Sequence, residues 1–149
     1  MSLPVKSRFD LRGDVDVPMR YMRVVLEFDI AFDDPTPRSL VTLQDGDIVT
    51  RLWSEVTTTY DAGTVGIGDG ADDDGFALFN CGDANSDIDP SVLGYKLIED
   101  DSLGAYLWDS ANGHRRHRIY STSDSIDVVR TGAPTQGEMK LWMEILRLK

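Results

Sequence analysis

Residues 22–32 read Met22-Arg23-Val24-Val25-Leu26-Glu27-Phe28-Asp29-Ile30-Ala31-Phe32, with an apolar side chain at every second position. Met22, Val24, Leu26, Phe28, Ile30 and Phe32 fall on one side of that count; Arg23, Glu27 and Asp29 fall on the other. Successive side chains of a strand point to opposite faces, so the stretch predicts one long strand with a single buried face. The rhythm returns near the end of the chain, where Met139, Leu141, Met143 and Ile145 alternate with Lys140, Trp142 and Glu144. Strands of this kind belong to antiparallel sheets that pack one face and wet the other.

Working inward, Asp33-Asp34-Pro35-Thr36-Pro37 breaks the first strand, a short strand follows at Leu40 to Leu43, and Asp45-Gly46 predicts a hairpin turn. The Thr-rich stretch from Ile48 to Tyr60 predicts a strand with Ile48, Leu52, Val56 and Tyr60 on one face and Arg51, Trp53 and Glu55 on the other. Shorter strands are expected at 64–69, 76–79 and 125–131, and another at 104–108 with 117–120 as its hairpin partner. Residues 80–103 show no clear period. About eight short-spaced strands without interleaved helices predict an all-β antiparallel sandwich, jelly-roll-like. Residues 1–20, with Lys6, Arg8, Arg12 and Arg20 among three aspartates and two prolines, are expected to form an extended arm that orders against a partner. Residues 21–149 then form one domain.

A chain of 149 residues, 41% hydrophobic, suits one domain with a genuine core. It has no apolar run long enough for a membrane span and no signal-peptide pattern, which predicts a soluble protein made in a cytoplasm. The single cysteine, Cys81, excludes an internal disulfide and reads as a small core residue. The net charge of −11 is concentrated: residues 61–101 hold eleven acids against Lys96 alone. Such a field repels phosphate backbones, so nucleic acid is not an expected partner. Of the 26 acids 21 are Asp, a turn-former, which places the acidity in loops.

Candidate sites are few. The loop Asp69-Gly70-Ala71-Asp72-Asp73-Asp74-Gly75 has the oxygens for Ca²⁺ but fails the EF-hand register, with Gly70 in the first ligand position and Cys81 in the last. A solvated acidic turn is the plainer reading, and no metal or other cofactor is expected. His114-Arg115-Arg116-His117-Arg118 has an H-x-x-H spacing without the glutamate that metalloprotease helices carry; in a strand it places the two imidazoles on opposite faces. A hairpin tip whose arginines pair with acids of a neighbouring subunit fits it better. No nucleophile elbow, phosphate loop or dinucleotide fingerprint occurs, and paired aspartates alone do not make a glycosidase. Arg12-Gly13-Asp14 matches an adhesion tripeptide too short to carry weight. Trp53 and Trp142 stand on the polar faces of their strands, where covering by a loop or arm is one reading and a protein interface is the sharper one. The expected interface residues are Arg8, Arg12, Trp53, Arg115, Arg116 and Trp142.

From Leu40 onward the segment order resembles small β-rich structural proteins that tailed bacteriophages encode beside their capsid genes. The residues that carry this are Leu40 to Val56 (LVTLQDGDIVTRLWSEV), Val65-Gly66-Ile67-Gly68-Asp69 with its acidic loop, Ser123 to Val128, and Gly137 to Glu144 (GEMKLWME). The likeness covers roughly two thirds of the chain and consists of turns and closing strands, with the arm, the Asp-rich insertion and the basic cluster outside it. It implies a capsid decoration or cement protein: an oligomeric jelly roll, a trimer by preference, seated on the outer shell where copies of the major capsid protein meet. It implies no catalysis. Two rivals stay open, another virion component such as a head fibre base, neck or tail protein, and a carbohydrate-binding sandwich that stacks sugars on its tryptophans.

Overall fold

The computed structural model describes residues 21–82, 89–98 and 103–148. Eleven strands are found among them: β1 (Tyr21–Ala31), β2 (Arg38–Leu43), β3 (Ile48–Thr58), β4 (Thr64–Gly68), β5 (Ala77–Asn80), β6 (Gly94–Ile98), β7 (Trp108–Asp109), β8 (His114–Arg115), β9 (Arg118–Ile119), β10 (Asp124–Thr131) and β11 (Glu138–Leu148). One sheet runs β9-β3-β11-β1, with β6 also on β3; the other runs β2-β10-β4-β5. Every pairing is antiparallel.

The pairings nest. β1 pairs β11, β2 pairs β10, β3 pairs β9 and β4 pairs β5. Laid flat, these four pairs are one long hairpin whose tip joins β4 to β5. Rolled so that the first and third pairs share one sheet while the second and fourth share the other, they make an eight-stranded jelly roll. The remaining strands, β6, β7 and β8, lie between β5 and β9 in the chain. The acidic loop after Gly68 is therefore the hairpin's tip, and Tyr21 and Leu148 at its open end stand opposite one another.

The predicted strands at 22–32 and 139–145 hold because each has one inward face. Ile30, Met139, Leu141, Met143 and Ile145 are buried and join Leu43, Leu52, Ile67, Phe76, Phe79, Ile126 and Val128 from both sheets in one hydrophobic cluster. Cys81 packs at its margin, half-buried, and its thiol donates to the Tyr60 carbonyl (3.2 Å).

Three expectations need correction. Asp45-Gly46 makes a tight turn, with Gly46 at φ 91° and the Asp47 carboxylate accepting from Gln44 N–H (2.8 Å). It does not make a hairpin, since β2 and β3 lie in different sheets. Burial of Leu43 and Val49 on either side of the turn requires the chain to cross over the core there. In β3, Ile145 stands opposite Val49 while Glu144 stands opposite Arg51, so Thr50 is an extra residue. That bulge reverses the phase: Val49, not Ile48, is buried on the side of Leu52 and Val56. Finally, 104–108 does not pair with 117–120. Gly104 opens a turn that accepts from Leu107 and Trp108 N–H (3.0 and 3.1 Å), Trp108–Asp109 pairs His114–Arg115, and Arg118–Ile119 pairs Ile48–Val49.

Candidate functional site

The outward face of the β1-containing sheet brings the two predicted tryptophans together. Trp142 on β11 stands directly opposite Trp53 on β3 and, on its other side, opposite Glu27 on β1. Its indole N–H donates to Glu27 Oε1 (3.0 Å), and the Tyr95 ring of β6 leans toward it at 6.2 Å between centroids. Both tryptophans are half-buried, whereas Tyr95 is 61% exposed and continues into exposed Val92 and Leu93. Indole and phenol rings on a wet sheet face offer large apolar area at small conformational cost, with polar tips left to orient a partner.

Charge pairs hold this aromatic row on both flanks. Lys140 Nζ reaches Asp29 (2.8 Å) and Glu27 (3.2 Å), and those hydrogen bonds, Asp29 first, raise its pKa. Glu144 is buried between Arg23, Arg51 and the Thr50 hydroxyl (2.7 Å to Oε1). Burial pushes its carboxyl up, but the hydrogen bonds from Thr50 and Arg23 and the charges of Arg23 and Arg51 outweigh it and leave the pKa lowered. The face is thus pre-organised: its side chains are tied to one another across three strands.

Arg115 and Arg116 lie elsewhere, at the β7–β8 hairpin. The Arg116 guanidinium donates to the Ala105 carbonyl and to Asp109 Oδ2 (both 3.2 Å), which also faces His114 Nε2 at 3.8 Å. Arg115 and His117 are exposed, and with Ala105, Tyr106, Arg116 and Arg118 they rim an open depression. Arg8 and Arg12, with the rest of the expected arm, lie outside the described residues.

The acidic loop conceals a feature that sequence reasoning missed. Asp69 turns inward and is fully buried. Its Oδ1 accepts from the Tyr106 hydroxyl (2.7 Å) and the N–H groups of Ala71 (2.9 Å) and Asp72 (3.2 Å). Oδ2 accepts from the Tyr120 hydroxyl (2.8 Å) and the Arg118 guanidinium (3.2 Å), which itself lies 4.0 Å from the Tyr106 ring centroid. Burial works against the charge, yet these hydrogen bonds and Arg118 carry the pKa below the usual carboxylate value; burial first, and then the hydrogen bond to Asp69, raise those of Tyr106 and Tyr120 against the opposing charge of Arg118. The loop's outer carboxylates are solvated, with Asp74 pushed up by partial burial and by Asp72 beside it. Among the described residues no three His, Cys, Asp or Glu side chains converge as a metal site. The signal available in the sequence was the alternation Arg118, Tyr120 on one strand face.

No family model and no curated protein matches this sequence. Solved structures do. A chain in the acidic stable capsid structure of Helicobacter pylori bacteriophage KHP30 superposes with a TM-score of 0.59 at 11% identity, over 86% of this chain and 90% of that one. A chain in the cyanophage Pam1 capsid asymmetric unit gives 0.50, also at 11% identity, over 98% and 91%. The fold is shared. At this identity the likeness is one of backbone architecture, extending over nearly the whole of each chain.

Proposed function

We propose that this protein is a structural component of a phage virion, a capsid decoration or cement protein that binds the outer surface of the expanded head. The observation that carries the reading is the shared jelly roll: chains of two phage capsid structures match it along almost its entire length. The role asks for no catalysis and no cofactor. It asks for a rigid scaffold with an adhesive face, and the row of Trp53, Trp142 and Tyr95, fixed by flanking charge pairs, is such a face. In this reading the face seats on the major capsid protein, the protein acts as a homotrimer after synthesis in the host cytoplasm, and the exposed carboxylates of the acidic tip, Asp73 and Asp74, point to solvent. A ligand that binds one state of an assembly and not another stabilises that state by linkage, so a cement protein selective for the expanded shell hardens it against reversal and heat.

The test is co-sedimentation of purified protein with expanded heads that lack it, beside unexpanded precursor heads and tail fractions. Saturable binding to expanded heads alone is the expected result. Binding to necks or tails instead moves the protein elsewhere on the virion, and a glycan-array signal with no head binding turns the tryptophan face into a sugar platform; either overturns the cement reading.

A further inference from the structure

We propose that Asn112 is a site of spontaneous covalent modification, converted to aspartate or isoaspartate by ring closure on the Gly113 nitrogen, and that Asp109 sets the pace by holding both reacting groups. The inference goes beyond the virion reading and does not depend on it, since it concerns the β7–β8 hairpin alone. The chain has three asparagines, Asn80, Asn85 and Asn112, and only Asn112 precedes a glycine. A glycine nitrogen has no neighbouring side chain to obstruct its approach to the asparagine amide carbon, which is why this dipeptide is the reactive one. In the reaction a bond forms between Gly113 N and Asn112 Cγ, the Cγ–Nδ2 bond breaks, and ammonia leaves with the Gly113 amide proton. Water then opens the five-membered imide. Attack at Cγ restores the backbone with an aspartate side chain, and attack at the Asn112 carbonyl carbon routes the backbone through Cγ as isoaspartate. Water is the only co-reactant.

The hairpin controls this chemistry through one residue. Asn112 and Gly113 are exposed at its turn, with Gly113 at φ 69°. Gly113 N–H, the nucleophile's own proton, donates to the Asp109 carbonyl (2.7 Å). The Asn112 amide nitrogen, the leaving group, donates to Asp109 Oδ2 (3.0 Å). Asp109 Oδ1 accepts from the N–H groups of Ala111 (3.0 Å) and Asn112 (3.2 Å), an aspartate turn that presents the carbonyl to Gly113. Asp109 is itself buried and anchored by Arg116 at 3.2 Å. Ring closure therefore requires two hydrogen bonds to one residue to break before the reacting atoms meet in an attack geometry. Only two rungs close the hairpin, Trp108 with Arg115 and Asp109 with His114, so it opens locally far more often than the sheets do.

The product does not fit the place its precursor held. A carboxylate at position 112 puts an acceptor of like charge where a donor faced Asp109 Oδ2, and Arg116 is left between two carboxylates. Isoaspartate also lengthens the main chain by one carbon inside a turn that both rungs depend on. Each modified molecule is thus left with a loosened basic hairpin, and the change is irreversible.

The test incubates the native protein, the same protein unfolded in guanidinium, and native Asp109→Ala and Arg116→Ala at neutral pH, and follows conversion of Asn112 by peptide mass spectrometry with an isoaspartate assay. Conversion should be fastest in the unfolded chain and slowest in the native wild type. Asp109→Ala keeps the backbone carbonyl but loses the three carboxylate bonds that shape the turn, and should speed the native rate about tenfold. Arg116→Ala leaves those bonds in place and should change the rate little. A native rate equal to the unfolded one, an Asp109→Ala rate equal to that of the wild type, or an equal rise with Arg116→Ala overturns the proposal. Hydrogen exchange on the wild type gives a reading that needs no variant: the Gly113 amide should be protected, and exchange at the rate of the unfolded chain also overturns it.

Discussion

Replacing Asp69 by alanine removes one small side chain and disconnects five donors. The Tyr120 hydroxyl is buried with its ring and loses its acceptor, the Tyr106 hydroxyl loses its own, and Arg118 loses the carboxylate 3.2 Å away. Leaving a buried donor unmatched costs about 1 to 3 kcal/mol, and removing one partner of a buried ion pair about 3 to 5. Arg118 is one-third exposed at its side chain, so water relieves part of its loss, while the N–H groups of Ala71 and Asp72 sit near solvent and recover theirs. The expected total is about 4 kcal/mol, a large share of a stability that is typically about 5 to 15 kcal/mol. For a chain of this length that is a fall in melting temperature of roughly 12 °C. Urea unfolding followed by tryptophan fluorescence checks it, with the slope against urea unchanged if the native state stays compact. Tyr120→Phe, which removes one hydroxyl and leaves the charge pair, should cost about 1.5 kcal/mol. A loss below about 1 kcal/mol for Asp69→Ala would refute the reasoning, because it would mean that the cluster is no better satisfied folded than unfolded.

Stability should decline in acid: Asp47, held down first by its hydrogen bond from Arg147, and Asp69 and Glu144 all have folded pKa values below their unfolded ones. Their contribution is complete above the unfolded values near pH 4 and drains away as pH falls through the lower folded values, so the urea midpoint should be clearly lower at pH 3 than at pH 7. Trp142→Ala should cost about 1 to 2 kcal/mol through the lost Tyr95 contact and Glu27 hydrogen bond, and together with Trp53→Ala should abolish co-sedimentation with heads; intact binding by the double variant would remove this face from the interface. Gly68→Ala places a methyl 1.9 Å from the Asp72 carbonyl oxygen and should prevent folding to soluble protein. Gly82→Ala, at φ +82° with open space around it, should cost only about 1 kcal/mol, and equal losses at the two sites would contradict the packing described.

The strands that were legible in the sequence are those whose rhythm is uninterrupted. β1 and β11 each bury one face along an unbroken ladder, and period two reports that directly. β3 was legible as a strand but not in phase, because the extra residue at Thr50 shifts the count by one and nothing local marks it. The Asp45-Gly46 turn shows why turn chemistry does not give topology: the same two residues reverse a chain within one sheet or carry it across a core, and only the distant partners of β2 and β3 decide. For the candidate site, the outward placing of Trp53 and Trp142 followed from alternation, whereas their direct opposition depended on a register between strands about ninety residues apart, which no local pattern encodes. Asp69 was hidden by its company, since a run of solvated aspartates gives no sign of which one turns inward.

The nested pairing also fixes where the outer ends of β1 and β11 lie. Tyr21 and Leu148 stand opposite each other at the mouth of the long hairpin, a separation of about 5 Å across neighbouring strands. Two or three residues would bridge that gap, and the exposed turn at Asn112-Gly113, between β7 and β8, offers a place to open the loop. A circular permutant of residues 21–148 made in this way would keep every rung of both sheets while its new termini emerged beside Arg115. Cargo fused there would leave from the basic hairpin, with the tryptophan face untouched by the graft.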